Sequence, residues 1–172
     1  MPYDPYRHRR RSIRLKGYDY SQPGRYFVTI CTAGRQPLLA TYEDEDILPT
    51  AAGRLIRQTW TDIRTRFPHV DLDEFVVMPN HIHGIIVITG RACPEAKRPS
   101  LGQIVGYFKY HSTRLYNLLD KTDGVKLWQR NYYEHIIRNE REWHAIRRYI
   151  RDNPYNWPQD RDNPAAPSHH NP

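Results

Sequence analysis

Two histidines, His81 and His83, are separated by a single residue in the apolar segment VVMPNHIHGIIVI, residues 76–88. Successive side chains of a β-strand point to opposite faces, so the two imidazoles would share one face, with their backbones about 7 Å apart. Rings placed in this way could bind one metal ion between them. Alternatively, the two histidines lie at the end of a strand and one or both of them are merely hydrogen-bonded.

A second candidate pair, Tyr149 and Asn153, lies in the segment RRYIRDNP, residues 147–154. The two residues are four apart, so in a helix they would lie on one face. A metal bound by His81 and His83 would also need an oxygen ligand, and the amide oxygen of Asn153 suits a hard cation such as Mg²⁺ or Mn²⁺. Tyr149 would then project its phenol beside that metal. Alternatively, Asn153 caps the end of the helix and Tyr149 packs on the sheet.

A phenol beside a divalent cation in a basic protein suggests phosphodiester cleavage by covalent catalysis. The cation would polarise a phosphate oxygen, and the tyrosine would attack phosphorus to form a phosphotyrosine bond. Another DNA hydroxyl could later attack that bond, which would rejoin the strand without ATP. Arg147, Arg148 and Arg151 surround Tyr149 in the sequence, although not all three share its face. The sequence identifies no general base.

The composition favours a single domain with a polyanionic partner. The chain has 172 residues, a formal net charge of +7 and an isoelectric point of about 9.5, which favours nucleic acid over a merely soluble basic surface. Two cysteines, Cys31 and Cys93, are too few for a disulfide framework. No signal peptide and no apolar run of membrane-spanning length is visible, so we expect a cytoplasmic, nucleoid-associated protein with no membrane partner.

Hydrophobic periodicity and Gly/Pro breaks predict seven elements in the order strand, helix, strand, strand, helix, strand, helix. The predicted strands are 24–32, 69–79, 81–90 and 132–138, and the predicted helices are 50–67, 100–119 and 140–152. Asn139 would cap the last helix and Pro154 would end it near Asp152. Residues 34–50 are predicted to form a loop.

This order predicts an α+β fold: a ferredoxin-like (RRM-like) antiparallel sheet with helices on one face, and an additional C-terminal helix that carries Tyr149. Both faces of the strand Ile82–Ile88 are apolar, which is more than a one-sided sheet needs. The last helix, a partner subunit or the N-terminal arm must therefore cover the second face.

We expect three segments along the chain. Residues 1–20 are a basic arm that would be mobile until it meets phosphate. Residues 21–158 would form a single catalytic domain, and residues 159–172 form a polar, proline-rich tail that should be disordered.

Four segments of the chain resemble the REP-associated tyrosine transposases, which are single-tyrosine transposases of the HUH endonuclease superfamily. They occur in the order of that family and are RRSIRLKGYDYSQPGRYFVTICT (10–32), MPNHIHGIIVI (78–88), LWQRNYYEHIIRNE (127–140) and IRRYIRDNP (146–154). The likeness covers roughly residues 8 to 158.

The resemblance implies a role for four residues. The paired histidines of the superfamily correspond to His81 and His83, its nucleophile to Tyr149, and its third metal ligand, an amide four residues later, to Asn153. Other transposase branches have glutamine at this last position, whereas asparagine is similar to the REP-associated branch. The resemblance implies cleavage of single-stranded DNA near imperfect hairpins, with a 5′-phosphotyrosine intermediate and a free 3′-hydroxyl. Relatives include monomers and homodimers in which the tyrosine helix acts in trans, so the oligomeric state stays open.

Candidate DNA contacts combine basic and aromatic side chains, because single strands are bound by basic grooves with stacking platforms. The candidates are Arg7, Arg9, Arg10, Arg11, Arg14 and Lys16 in the arm, Arg130, Tyr132 and Tyr133 around the last strand, and Arg148 beside the tyrosine. A further set on the second helix comprises Tyr107, Lys109, Tyr110, His111 and Arg114. Each could instead be ordinary surface with aromatic rings half packed into the core. His135 is an alternative metal ligand that ranks below Asn153.

Three functions are compatible with these residues. The first is a metal-dependent single-stranded DNA endonuclease and strand-transferase, that is, a transposase. The second is a non-catalytic or domesticated protein that binds single strands or hairpins, because RNA-recognition domains bind single strands on the same kind of sheet. The third is a hydrolytic metal site in which water is the nucleophile and Tyr149 is dispensable.

Overall fold

A computed structural model of the chain describes residues 15–91, 98–160 and 162–166. The strands are β1 (Gly24–Cys31), β2 (Ala40–Glu43), β3 (Asp46–Pro49), β4 (Val70–Val77), β5 (His81–Ile88) and β6 (Tyr133–Ile137), and the helices are α1 (Ala51–Arg66), α2 (Leu101–Leu119) and α3 (Glu140–Asn156). Two short 3₁₀ turns lie at Ala33–Arg35 and Trp157–Gln159. No helix in these parts of the chain is long and apolar enough to cross a bilayer.

The four long strands form one antiparallel sheet in the order β4–β5–β1–β6. Strands β1 and β5 are central, and their ladder runs from Gly24 opposite Ile88 to Cys31 opposite His81. The predicted α+β fold, with an antiparallel sheet, packed helices and a C-terminal helix, is therefore confirmed.

Different helices cover the two faces of the sheet. On one face, α1 and α2 share a core with the strands that includes Tyr26, Val28, Ile82, Ile86, Ile56, Trp60 and Phe108. On the other face, α3 completes a smaller cluster of Phe27, Ile85, Ile137, Ile146 and Ile150. The last helix is therefore what covers the second apolar face of β5.

The C-terminal helix is longer than predicted. It continues through Pro154 to Asn156 instead of ending near Asp152. Proline removes one backbone donor and crowds the preceding turn, but Pro154 lies in the last turn, where little helix remains to be disturbed. The side chain of Asn156 also donates to the Asp152 carbonyl at 3.0 Å. Asn153 is consequently a helical residue, one turn beyond Tyr149.

The segment predicted to be a loop, residues 34–50, contains a short hairpin of β2 and β3 with Ala40 opposite Pro49. Its turn residues Asp44 and Glu45 have φ values of 49° and 67°. Hairpin turns of this kind are usually marked by glycine, and the absence of glycine here explains why the sequence did not indicate the hairpin.

The described end of the N-terminal arm packs on the domain. Within the expected arm 1–20, Lys16 is exposed, but Tyr20 is buried and its carbonyl accepts a hydrogen bond from the Leu101 N–H at 2.9 Å. The other arm candidates lie outside the described residues: Arg7, Arg9, Arg10, Arg11 and Arg14.

Part of the expected tail also packs on the domain. We expected residues 159–172 to be disordered, yet Asp162 is only 5% exposed and forms an ion pair with Arg35. Its carbonyl accepts a hydrogen bond from the Asn80 side chain at 2.6 Å. The polar composition of the segment did not reveal these buried partners.

Strand β4 contains a bulge, because its pairing with β5 shifts by one residue between Leu72 and Phe75. Leu72 and Phe75 both pack on the side of α1 and α2. Asp73 and Glu74, which lie between them, both contact α3 on the other side. One extra residue thus directs two consecutive carboxylates to the same face.

We predict that Gly84→Ala destabilises the protein by about 1–3 kcal/mol, because overpacking a dense core forces neighbours to move. An added methyl carbon would lie 2.4 Å from Cζ2 of Trp60, whose buried ring stacks on Phe75. The matched control is Gly106→Ala, an exposed position within α2 with open space around the added carbon. That change should raise the stability by about 0.5–1 kcal/mol. Chemical denaturation measures both, and a Gly84→Ala variant as stable as the wild type would contradict this packing.

Candidate active site

The histidines His81 and His83 begin strand β5 and point to the face that α3 covers. Both side chains are fully buried, and their Nε2 atoms lie 3.0 Å apart. The alternation of side chains along a strand therefore brings the two imidazoles together on one face, as their spacing predicts.

Asn80 orients the ring of His81. The amide nitrogen of Asn80 donates to the carbonyls of Asp162 at 2.6 Å and Arg35 at 3.3 Å, so its oxygen faces Nδ1 of His81 at 2.8 Å. Because that oxygen can only accept, Nδ1 of His81 carries the proton and Nε2 has a free lone pair. This is the tautomer in which Nε2 can bind a metal ion.

Thr29, opposite His83 on β1, holds the second ring. Its Oγ1 lies 2.8 Å from Nδ1 of His83, and a hydroxyl can either donate or accept. If Thr29 donates, Nε2 of His83 carries the proton and donates to His81. If Thr29 accepts, the lone pairs of both Nε2 atoms face the same point, which is the arrangement of two ligands of one cation.

Burial keeps both imidazoles neutral. The pKa of His81 is lowered to about 3, chiefly by burial and also by the charge of Arg35. The polar contact with the side chain of Asn153 raises this pKa and offsets part of that effect. Burial also holds the pKa of His83 well below its ordinary value, and the proximity of His81 adds to that effect. Uncharged rings near neutral pH are the form in which histidines bind metals.

Helix α3 brings Tyr149 and Asn153 to the histidine pair. The hydroxyl of Tyr149 lies 3.5 Å from Nε2 of His83, and its ring packs edge-on against Phe27 and His83. Asn153 is buried one turn further along, against His81. The four residues singled out in the sequence thus converge within one chain.

These atoms fit a divalent cation. Two neighbouring ligands of an octahedral ion with bonds of about 2.1 Å are about 3.0 Å apart, which is the separation of the two Nε2 atoms. The Oδ1 atom of Asn153 is buried beside His81 and forms no hydrogen bond of standard geometry among the described residues. A buried orphaned acceptor is costly, and an amide oxygen is a ligand that Mg²⁺ or Mn²⁺ accepts. In the described segments no three His, Cys, Asp or Glu side chains form a metal-binding cluster, so a third ligand of another type would be needed.

Four of the DNA-binding candidates lie near the site, and they differ in how exposed their side chains are. Arg148, next to Tyr149, and Arg130 are exposed. Tyr132 and Tyr133 are half-buried on opposite faces of the sheet, Tyr132 against the α1–α2 core and Tyr133 against the α3 cluster. Both tyrosine rings therefore contribute to packing, and contact with DNA stays a prediction for all four residues.

The loop that contains Arg130 is anchored beside the site. The N–H of Gln129 donates to the carbonyl of Cys31 at 2.9 Å, and Cys31 lies opposite His81. Lys109, considered above as a DNA contact, donates to the carbonyls of Gln129 and Arg130. These two hydrogen bonds hold the loop next to the histidines. Burial lowers the pKa of this lysine.

Sequence reasoning missed the residues that orient the histidines, namely Thr29, Asn80 and Asp162. Thr29 depends on the register of β1 and β5, and Asp162 is 82 residues from Asn80. One local signal was available, because Asn80 is an amide directly before the first histidine. His135, the alternative ligand, instead contacts Glu142 at 2.6 Å.

Comparison with known proteins gives a family and a fold. The family described as IS200-like transposases matches residues 24–153. An uncharacterized protein of Haemophilus influenzae (strain ATCC 51907 / DSM 11121 / KW20 / Rd) is 38% identical over 168 residues, which is 89% of this chain and 92% of that protein.

Two solved structures are also similar. A REP-associated tyrosine transposase bound to a REP hairpin has a TM-score of 0.59 and 22% identity, over 82% of this chain and 72% of that chain. A putative transposase from Deinococcus radiodurans R1 has a TM-score of 0.47 and 20% identity, over 81% of this chain and 95% of that chain. The first of these likenesses supports the fold.

The segment that matches the family begins with β1 and ends at Asn153 in α3. It therefore includes the whole four-stranded sheet and the residues His81, His83, Tyr149 and Asn153. The resemblance to tyrosine transposases inferred from the sequence is confirmed at the level of the family. The chain belongs to the family of IS200-like transposases.

Proposed function

We propose that this protein is a metal-dependent single-stranded DNA endonuclease and strand-transferase that cleaves near hairpin repeats through a 5′-phosphotyrosine intermediate. The observation that supports this most directly is the position of the Tyr149 hydroxyl, 3.5 Å from Nε2 of His83 in the same chain. The buried amide oxygen of Asn153 lies one turn away on the same helix. A nucleophile beside metal-type ligands is what covalent phosphodiester cleavage requires.

In the cleavage step the phenolic oxygen of Tyr149 attacks phosphorus, and a bond from phosphorus to tyrosine forms. The bond from phosphorus to the 3′ oxygen of the preceding nucleotide breaks, and that oxygen takes a proton and leaves as a hydroxyl. The phenolic proton goes to solvent, and the 5′ phosphate remains on Tyr149. Rejoining reverses these changes with a DNA 3′-hydroxyl as the attacking group, so one phosphoester replaces another and no nucleotide cofactor is consumed.

The chain's own residues would prepare a site for Mg²⁺ or Mn²⁺ through His81, His83 and Asn153. When bound, the cation would polarise a non-bridging oxygen of the scissile phosphate. Asn80 and Thr29 orient the two imidazoles through their Nδ1 atoms. Their role is to keep the metal-binding nitrogens aimed at one point without a rearrangement of the strand.

The proposed substrate is single-stranded DNA that forms a hairpin, and the nucleoid in the cytoplasm is the proposed place of action. The structural relative bound to a REP hairpin and the net charge of +7 support this choice. Arg130 and Arg148 are exposed close to the site and are proposed to contact phosphates. Because Tyr149 reaches His83 within one chain, a single copy would be sufficient for cleavage, and a homodimer is not required.

We predict that Tyr149→Phe abolishes the covalent adduct between the protein and a labelled hairpin with a single-stranded flank in the presence of Mn²⁺. The variant keeps the ring that packs on Phe27 and loses only the attacking oxygen. The matched control is Tyr155→Phe on the same helix, where the side chain is 77% exposed and the adduct should persist. A denaturing gel separates adduct from free DNA. If Tyr149→Phe still forms the adduct, another residue is the nucleophile, and DNA cleavage without any adduct would favour water.

We predict that Asn153→Ala weakens Mn²⁺ binding at least about tenfold, because it removes an oxygen ligand and leaves two imidazoles. Calorimetric titration of the DNA-free protein with Mn²⁺ measures this without reference to activity. Asn156→Ala is the matched control, since that exposed side chain lies on the same helix and bonds only to the Asp152 carbonyl among the described contacts. Equal Mn²⁺ affinity in Asn153→Ala and the control would rule out Asn153 as a ligand.

We predict that Asn80→Ala weakens Mn²⁺ binding by about 10–100-fold, the usual effect of losing a residue that orients a metal-binding histidine. Without its acceptor, His81 no longer favours the proton on Nδ1. Nitrogen NMR of labelled histidine should show a mixed tautomer in this variant and a single Nδ1–H form in the wild type. A single Nδ1–H form in both proteins would contradict the orienting role of Asn80.

A further inference from the structure

We propose that Asp73 and Glu74, the two carboxylates of the β4 bulge, are positioning residues for the nucleophile. They fix the rotation and the axial position of α3, and through α3 they fix the distance from the Tyr149 hydroxyl to His83. The consequence for catalysis rests on the function proposed above, whereas the effect on position does not.

Three side chains along one edge of α3 bind these carboxylates. Nε1 of Trp143 donates to Oδ2 of Asp73 at 2.6 Å. Arg147 lies between the two acids, with Nε in an ion pair 3.2 Å from Asp73 Oδ1 and Nη2 3.2 Å from Glu74 Oε1. Nη2 of Arg151 is 2.9 Å from the same oxygen of Glu74. The three helix residues are spaced four apart, so they form one stripe.

The bulge is what lets two adjacent acids face the same helix. In a regular strand Asp73 and Glu74 would point to opposite faces. The extra residue lies between Leu72 and Phe75, both of which pack on the α1–α2 side, and it leaves both carboxylates on the α3 side. Bulges commonly re-aim side chains in this way next to active sites.

The apolar contact of α3 does not define its position by itself. The helix packs on the sheet through aromatic and branched aliphatic side chains, namely Phe27, Ile85, Ile137, Ile146 and Ile150. Attraction between such surfaces is non-directional, whereas hydrogen bonds and guanidinium–carboxylate pairs are directional. The side chains of Asp73, Glu74 and Arg147 are 18%, 25% and 30% exposed, so water competes with these bonds less than at an open surface.

A small rotation of α3 has a large effect at the nucleophile. The helix radius of about 2.3 Å and the length of a tyrosine side chain put the hydroxyl about 9 Å from the helix axis. A rotation of about 10° then moves the hydroxyl by about 1.5 Å, and a misplacement of about 1 Å can cost about a hundredfold in rate. The stripe resists rotation and sliding because it begins before Tyr149, at Trp143, and ends after it, at Arg151.

The test compares the double variant Asp73→Asn/Glu74→Gln with Asp71→Asn. Asp71 lies on the same strand, but its carboxylate pairs with Arg64 and Arg91, neither of which belongs to α3. Both changes keep the size of the side chains and remove negative charge from β4.

The position of the nucleophile is measured in the DNA-free protein by NMR cross-relaxation between aromatic rings. Contacts of the Tyr149 ring with the rings of Phe27 and His83 report on α3, and the contact between Phe27 and His83 reports on an intact sheet. We expect the Tyr149 contacts to weaken severalfold in the double variant, with the Phe27–His83 contact unchanged. Asp71→Asn should leave all three contacts unchanged.

The kinetic consequence is a change of rate without a change of DNA binding. At saturating hairpin DNA, the single-turnover rate of adduct formation should fall at least about tenfold in the double variant. The DNA concentration that gives half the maximal rate should stay within about twofold, because the partners of the two acids are Trp143, Arg147 and Arg151 and not the proposed DNA contacts. Weakened ring contacts with an unchanged adduct rate would overturn the catalytic consequence.

Ring contacts of Tyr149 as strong as in the wild type would overturn the proposal, whatever the adduct rate. If the wild-type protein itself forms no adduct, the function proposed above fails, while the ring contacts still decide the positioning. If the double variant does not fold, Trp143→Phe provides the test, because it removes the hydrogen bond to Asp73 and keeps an aromatic ring. The same weakening is then expected, and unchanged contacts count against the proposal.

Discussion

The packing of α3 on the second face of the sheet is the contact on which the candidate active site depends. The histidines belong to a central strand, and Tyr149 is 66 residues away from His83 in the chain. Burial of Ile146 and Ile150 against the sheet supplies attraction of about 25 cal/mol per Å² of apolar surface, but no orientation. The four-stranded sheet is a rigid base for one half of the site, and the position of a single helix on that base decides whether the other half meets it.

The Nε2 lone pair of His81 and the Oδ1 atom of Asn153 are buried acceptors that lie close together. Asn80 and Thr29 occupy the Nδ1 atoms of the two imidazoles. Within the described part of the chain, Oδ1 of Asn153 forms no hydrogen bond of standard geometry, although its side chain lies close enough to His81 to raise the pKa of that imidazole. A buried acceptor without a hydrogen bond costs about 1–3 kcal/mol of stability. Proteins tend to keep such unsatisfied groups at functional sites. The same cost would be relieved by a cation, so this acceptor and the converging Nε2 atoms have one explanation.

Periodicity was enough to predict what is local, and it failed where distant segments meet. The alternation HIH places His81 and His83 on one face, and the spacing of four places Tyr149 and Asn153 on one helix face. The pairing within each half of the site could therefore be predicted from spacing, whereas the roles of the four residues were suggested by the resemblance to the family. The apolar character of both faces of β5 required a cover, but patterning cannot say which segment supplies it, since any amphipathic helix would serve. The bulge in β4 and the last turn of α3, which contains Pro154, could not be predicted from local sequence either. Whether such irregular backbone is stable depends on contacts with side chains that are distant in the chain.

The chain beyond α3 links the two halves of the site. Asp162 follows α3, and its carbonyl accepts a hydrogen bond from Asn80, which orients His81. Its carboxylate also pairs with Arg35, which follows β1, so three segments of the chain meet at one end of the sheet. A displacement of α3 that carried this segment along would therefore strain the hydrogen bonds of Asn80 as well as move Tyr149. The orientation of His81 and the position of Tyr149 therefore both depend on how α3 and the segment after it pack against this end of the sheet.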